Sequence, residues 1–131
     1  MLGWIGDIES LTLKNTNFRT VVFTGGHTQL TLMRIKPGED IGWEAHPHLD
    51  QFIRIEAGKG RVEFGRDEAN VDEKHDVEDD WAIIIPAGTW HNVVNTGDED
   101  LKLYSLYSPP EHPEGTVHVT KAEADAAEHD D

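Results

Sequence analysis

The chain has 131 residues, which is the size of one domain with one core and too short for two independent ones. Its formal charge of −15 would repel a phosphate backbone, which argues against nucleic acid as a partner. It contains no cysteine, so disulfides and thiolate metal sites are excluded, and any bound metal must use nitrogen and oxygen ligands.

The chain carries no sign of membrane insertion or export. No apolar run is long enough to cross a bilayer, and the N-terminal MLGWIGDIES lacks the basic and apolar stretches of a signal peptide. These features predict a cytoplasmic protein with no membrane partner. Acidic residues concentrate in 67–80 and 122–131, which we interpret as solvated surface that maintains solubility.

Short strand-like runs separated by Gly, Pro, Asp or Asn dominate the chain, which is typical of an all-β sandwich or barrel. The run AIIIP at 82–86 is apolar at successive positions, so we expect it to be a central strand with both faces covered. The predicted strands are 18–24, 28–35, 51–58, 60–65, 82–86, 91–97 and 101–108.

These elements divide the chain into an N-terminal segment 1–17, a β-barrel 18–110 and a C-terminal extension 111–131. The proline-rich SPPEHPEG leads out of the barrel, where helix is disfavoured. Thr120 and Glu123 then form a capping box ahead of an alanine-rich stretch, which predicts a short helix that frays into the acidic end.

The first of two spaced motifs lies between 38 and 58 and consists of Gly38, Glu44, His46, Gln51 and Gly58. Alternate side chains of a strand share a face, so Glu44 and His46 are predicted to point together into the barrel. A tight turn follows, and the next strand begins at Gln51, whose side chain can return to the same place.

The second motif consists of Pro86, Gly88, His91 and Asn95. Pro86 and Gly88 shape a turn, and His91 follows on a strand far along the chain from the first motif. Four donor side chains from different strands can thus converge on one ion, and a rigid sheet would fix their geometry.

Together these motifs resemble the two motifs of the cupin family, and the chain is similar to small stand-alone cupins described as mannose-6-phosphate isomerase-like. The resemblance implies a cupin double-stranded β-helix, a jelly-roll barrel, with a short C-terminal helix added here. It also implies that Glu44, His46, Gln51 and His91 are the metal ligands. The sequence departs from the family at three positions: Glu44 replaces a histidine, Gln51 replaces the carboxylate, and Asp80 replaces a glycine.

Two imidazoles, one carboxylate and one amide oxygen suit a single divalent Fe, Mn, Co, Ni or Zn ion better than Ca or Mg. An uncharged amide is a poorer ligand than a carboxylate, so either the affinity is modest or water takes the position of Gln51. A hydrogen-bonded polar cavity without metal is the alternative.

A second alignment has to be weighed because His46-Pro47-His48 is itself a His-x-His sequence. It would place the carboxylate at Phe52 or Ile53, neither of which can ligate a metal. We therefore assign His48 to the turn, as an auxiliary ligand at most.

The leading functional prediction is a metal-dependent enzyme acting on a small polar molecule, either an isomerase of sugars or an oxygenase. The alternative is a binding module that holds a metal or small ligand without turnover. A sugar phosphate would need a cationic anchor, and we expect only Arg34 and Arg54 to lie near the motif strands. Arg54 is out of phase with Gln51 and should face away from the metal, which argues against a phosphate ligand. A homodimer is also expected, with Phe52 and Trp90 facing outward.

Overall fold

The computed structural model describes residues 2–129, in which nine strands and two helices form. The helices are α1 Ile8–Lys14 and α2 Lys121–His129. The strands are β1 Arg19–Thr24, β2 Gln29–Ile35, β3 Asp50–Ala57, β4 Lys59–Gly65, β5 Glu73–Glu78, β6 Ala82–Ile85, β7 Trp90–Asn95, β8 Leu101–Ser108 and β9 Val117–His118.

The strands form two antiparallel sheets that face each other across one core. The larger sheet has the order β6-β3-β8-β2-β1-β9 and the smaller has the order β5-β4-β7. Inward residues of the larger sheet, such as Ile55 and Leu103, pack with Val62, Val77 and Val93 of the smaller one. The predicted fold class, an all-β cupin barrel with a short C-terminal helix, is confirmed.

Residues 40–44 continue the smaller sheet beyond β7. Asp40 bridges Val94, and Glu44 bridges His91 with backbone N–H to O distances of 3.0 and 2.8 Å. Since β7 also pairs with β4 throughout its length, it lies between two neighbours. The pairing brings Glu44 beside His91 although 47 positions separate them in sequence.

The expectation that 82–86 forms a central strand is wrong. β6 lies at the edge of the larger sheet and pairs only with β3 among the described strands. Ile83 and Ile85 point into the core, whereas Ile84 is 67% exposed. Three consecutive isoleucines therefore do not indicate a strand that is buried on both faces, because only one face of this edge strand has a layer packed on it.

Three elements lie outside the predicted strands and helix. β5 lies within the acidic run 67–80, and Val77 is the only buried residue among its six. Because its composition is almost entirely polar, the sequence did not indicate a strand there. β9 pairs with β1 from within the C-terminal extension. Helix α1 is capped by Asp7, whose side chain accepts a hydrogen bond from the Ser10 N–H.

The predicted C-terminal helix is confirmed as α2. Thr120 Oγ1 accepts a hydrogen bond from the Glu123 N–H at 3.2 Å, and Glu123 Oε2 accepts one from the Val119 N–H at 2.8 Å. The capping box therefore closes one residue further back than the standard form. The last two residues, Asp130 and Asp131, lie outside the described residues, and so does the predicted fraying of the acidic end.

Asp80, which stands where the family has a glycine, adopts a backbone conformation that favours glycine. Asp80 adopts φ +74°, a left-handed conformation that glycine takes at little cost and that Asp tolerates better than most residues. At Gly58, φ is +92° and an added Cβ would lie 2.7 Å from the Asp100 carbonyl oxygen. Both motif positions are thus set by backbone requirements.

None of the helices formed by residues 2–129 combines the length and apolarity needed to cross a membrane.

Candidate metal centre

His91 is completely buried and its tautomer is fixed by the backbone. Its Nδ1 lies 3.0 Å from the Thr89 carbonyl oxygen, which can only accept, so Nδ1 carries the hydrogen and Nε2 keeps its lone pair. Burial is the main influence and lowers the pKa of His91, so the ring is neutral at neutral pH. Nε2 has no hydrogen-bond partner within residues 2–129.

Glu44 and His46 bring two more donor atoms to this nitrogen. Glu44 Oε1 lies 3.4 Å from His46 Nε2 and 3.8 Å from His91 Nε2. One donor atom from each of the three residues falls within 4.8 Å of the others. The three side chains therefore form a candidate metal-binding group, although the strand predicted to carry Glu44 and His46 is reduced to an isolated bridge at Glu44.

The two motifs are joined at their turns. The Gly88 N–H donates to the His46 carbonyl oxygen at 2.9 Å, which holds the turn before β7 against the first motif. On the other side of the His46 ring, Glu111 Oε1 lies 3.7 Å from Nδ1. The His46 ring thus lies between two carboxylates, and the closer one, that of Glu44, is at Nε2.

Gln51 lies on β3 with its side chain buried in the interior, and it differs from a second buried glutamine, Gln29. Gln29 uses both ends of its amide: Nε2 donates to Thr24 Oγ1 and to the His112 carbonyl oxygen, and Oε1 accepts from the N–H groups of Glu111 and His112. Gln51 Nε2 donates to Ser105 Oγ at 2.9 Å, but its buried Oε1 has no partner within the described chain. Gln29 is thus fully used in holding the segment after β8, while Gln51 has an acceptor to spare.

Tyr107 separates His46 from His112 and contacts both edge-on, with ring centroids 5.9 and 5.2 Å apart. Burial raises the pKa of Tyr107 to about 12, so its hydroxyl stays protonated and can donate a hydrogen bond. Burial, followed by the charge of Arg19, lowers the pKa of His112 to about 3. The wall beside the candidate group is therefore lined by neutral rings.

The remaining residues singled out from sequence lie away from this group. His48 is exposed in the turn before β3, where we assigned it. Arg54 pairs with Glu56 and Asp80, and Arg34 with Asp100. Asn95 of the second motif is structural, because its Nδ2 donates to the carbonyl oxygens of Ile35 and Glu99.

Sequence reasoning overlooked Arg19, which is 4% exposed on β1 and forms a hydrogen bond between Nη1 and His118 Nδ1 at 3.2 Å. The alternation of β1 contained the signal, because Arg19 shares the phase of the buried Val21. β1 precedes both motifs, so Arg19 is not among the basic residues expected near the motif strands.

Comparison with known proteins identifies the family. The Cupin domain model matches residues 31–107, more than half of the chain. YrkC of Bacillus subtilis (strain 168) is 54% identical over 125 residues, covering 95% of this chain and 67% of YrkC. L612 of Acanthamoeba polyphaga mimivirus is 43% identical over 122 residues, covering 92% of this chain and 74% of L612.

A solved structure extends this similarity to three dimensions. The crystal structure of BH2720 from Bacillus halodurans aligns with a TM-score of 0.93 and 57% sequence identity, covering 94% of this chain and 93% of BH2720. The match over residues 31–107 includes both motifs and the three side chains of the candidate group. This chain therefore belongs to the Cupin domain family.

Proposed function

We propose that this protein binds one divalent transition metal through Glu44, His46 and His91, with Gln51 as a fourth ligand, and that it is a metal-dependent enzyme acting on a small polar molecule. The observation that carries the proposal is the convergence of three donor atoms within 4.8 Å, one of which is a buried imidazole nitrogen without a partner among the described residues. A buried polar atom left unpaired costs about 1–3 kcal/mol, which a bound cation would recover.

The donor set fits a transition metal chemically. Neutral imidazole favours Fe, Mn, Co, Ni or Zn, and the single carboxylate of Glu44 neutralises part of the charge. When bound, such an ion would polarise a ligand oxygen as a Lewis acid or take part in redox chemistry. The combination of two histidines and one carboxylate is the set that non-haem Fe(II) oxygenases use, which favours oxygenase chemistry over sugar isomerisation.

The protein's own residues would prepare the site for this chemistry. The Thr89 carbonyl oxygen holds His91 in one tautomer, and Glu111 stands at the far nitrogen of His46. Tyr107 keeps its proton and can donate a hydrogen bond to a polar ligand. Glu44 is the most accessible of the three proposed charged or imidazole ligands, with 28% of its side chain exposed, so we infer that the ligand enters past it.

Metal analysis tests the first half of the proposal. Protein purified without added metal should contain about one transition metal ion per chain, and the metal-free protein should bind Mn, Fe, Ni or Zn in a calorimetric titration. Glu44→Ala should weaken this binding, while His48→Ala, the matched control from the exposed turn, should leave it unchanged. The reverse ranking would mean that His46 and His48 form the ligand pair.

Turnover tests the second half. Iron-loaded protein, supplied with a panel of small polar compounds, should consume dioxygen with at least one of them, and His91→Ala should not. Metal binding without any turnover, of dioxygen or of sugars tested for isomerisation, would reduce the function to that of a binding module.

A further inference from the structure

Arg19 is a buried cation without a counter-charge in the described chain. Arg19 is 4% exposed, and no carboxylate oxygen among the side chains that the structure describes lies within 4.0 Å of it. A guanidinium can only donate, so its hydrogen bond at 3.2 Å makes His118 Nδ1 the acceptor and His118 neutral. Burying an unbalanced charge is costly, which calls for an anion beside Arg19.

The guanidinium offers a specific edge to that anion. Nη1 is engaged by His118, whereas Nε is fully buried and has no hydrogen-bond partner among the described residues. Nε and Nη2 present two parallel N–H groups, the fork that matches the two oxygens of a carboxylate. The Phe18 ring lies against the guanidinium, with its centroid 5.4 Å from the guanidinium carbon.

Tyr107 connects Arg19 with the candidate metal centre. After the larger effect of burial, the positive charge of Arg19 lowers the pKa of Tyr107 and the negative charge of Glu44 raises it. The Tyr107 ring packs against that of His46, with the centroids 5.9 Å apart. Arg19 faces the barrel interior beside Met33, and its charge reaches Tyr107 at the end that holds the candidate metal group.

Other buried polar atoms at this end also lack partners within residues 2–129: Thr31 Oγ1, Gln51 Oε1 and His112 Nε2. Buried polar groups are rarely left unpaired, and several together indicate space that a polar molecule fills. Since His112 and His118 are neutral, Arg19 supplies the positive charge here. One planar cation suits a carboxylate better than a phosphate dianion.

We propose that Arg19 binds a carboxylate group of a small anionic ligand, with its Nε–Nη2 edge, while the rest of the ligand extends towards Glu44, His46 and His91. The claim that the rest of the ligand reaches the metal rests on the proposed function. The claim that Arg19 binds the carboxylate does not, because the guanidinium is in place without any ion. The substrate class is therefore a small carboxylic acid carrying a second polar group.

The test is a calorimetric titration of metal-free and metal-loaded protein with succinate, and with succinamide as the uncharged match, at fixed ionic strength. Succinate should bind both forms, and succinamide at least about tenfold more weakly. Arg19→Gln should remove this preference, and Arg19→Lys should restore part of it, because it keeps the charge but not the fork. Arg66→Gln, a control at a side chain that is 76% exposed, should bind succinate as the wild type does.

Equal binding of succinate by wild type and Arg19→Gln overturns the proposal, and so does equal binding of succinate and succinamide by wild type. If Arg19→Gln does not fold, the comparison of succinate with succinamide in the wild type decides alone. The rise in the thermal unfolding midpoint of the wild type on adding each compound is then a second measurement. If inorganic phosphate binds more tightly than succinate, Arg19 binds a phosphate group rather than a carboxylate, and the proposed substrate class of small carboxylic acids is wrong. A protein that binds no metal but shows Arg19-dependent succinate binding would refute the proposed function and leave this inference standing.

Discussion

The two ends of the barrel interior are built from the same strands but differ in chemistry. At one end, the polar end, the inward residues of the larger sheet include Gln29, Thr31, Gln51, Ser105 and Tyr107, with the apolar Ile53 and Ile85 beside them. At the other, the apolar end, they are Met33, Ile35, Ile55, Leu101 and Leu103.

All of these inward residues are buried, so burial alone does not separate the two ends. What separates them is the polarity of these side chains, and at the polar end two of the buried polar atoms, on Thr31 and Gln51, have no hydrogen-bond partner among the described residues. The difference teaches that stability and function are divided along the barrel axis. Substitutions at the polar end should therefore leave stability largely intact, and substitutions at the apolar end should leave function largely intact.

His91→Ala should have the largest effect and should act on metal binding alone. Loss of a residue that merely orients a ligand costs 10–100-fold in metal affinity, so loss of this ligand should cost at least about 100-fold. The barrel should remain folded, because the hydrophobic core cluster does not include His91. Calorimetric metal titration and circular dichroism measure the two effects, and simultaneous loss of fold would contradict the division between the ends.

Leu103→Ala is the complementary change at the apolar end. Leu103 is completely buried in the core cluster, and removing its side chain leaves a cavity. The free energy of unfolding should fall by about 2–5 kcal/mol, measured by denaturant titration. The metal content of the folded fraction should stay at that of the wild type, and a parallel loss of metal would show that the two ends are coupled.

Gln51→Glu sharpens the assignment of the polar end. If Gln51 Oε1 is a metal ligand, the added negative charge should strengthen metal binding by roughly 1–3 kcal/mol after its own desolvation is subtracted. The gain should shrink at low pH, because a ligating carboxylate must be deprotonated. Unchanged or weaker affinity in a titration at neutral pH would mean that Gln51 orients a ligand or water instead.

The polar end should also be the more acid-sensitive end. His112 has a pKa lowered to about 3 by burial and by Arg19, His118 and His46, so in the folded protein it resists protonation. The unfolded chain takes up a proton near the ordinary pKa of 6.5, so this contribution to stability is complete above that pH and declines as pH falls towards 3.

For one proton, the decline is at most about 1.4 kcal/mol per pH unit. His112→Gln should reduce the slope of the free energy of unfolding against pH between 6 and 4, relative to wild type. Equal slopes for the two proteins in denaturant titrations would show that His112 is protonated as easily in the folded state.

The smallest effect on the stability of the barrel is expected at Ile84, which lies on the outer face and belongs to neither end of the interior. The homodimer expected from sequence stays a prediction, and Trp90, one of its two contact residues, is half-buried against Trp43 with ring centroids 6.0 Å apart. Ile84 lies beside Phe52 on the outer face and is 67% exposed. Ile84→Asp should give a monomer in sedimentation, with the free energy of unfolding of the monomer changed by less than about 0.5 kcal/mol. A dimer that survives this change uses another surface.

The sequence by itself was sufficient for the fold class and for three converging side chains. Residues two apart share a face in extended chain, which predicted that Glu44 and His46 point the same way, although in the structure only Glu44 forms a β-bridge and His46 lies outside the strands. The spacing of the second motif predicted that His91 joins them. These inferences succeed because they depend on local geometry and on turns with special backbone requirements. The turn at Gly58 and the left-handed Asp80 are examples.

Only the tertiary structure decided what depends on neighbours from distant parts of the chain. The position of β6 at an edge cannot be read from AIIIP, because an apolar face looks the same in sequence whether or not a layer covers it. In the same way, Gln29 and Gln51 are the same residue type on the same face. One is saturated by the backbone of the segment after β8 and the other is not.

The burial of Arg19 is the clearest case. Its alternation pointed inward, but whether a buried cation is neutralised depends on which side chains the fold places around it. Here the fold places neutral His118 and an aromatic ring beside it, and none of the described carboxylate side chains within ion-pair distance. Sequence pattern fixes the direction of a side chain, whereas electrostatic balance is a property of the assembled interior.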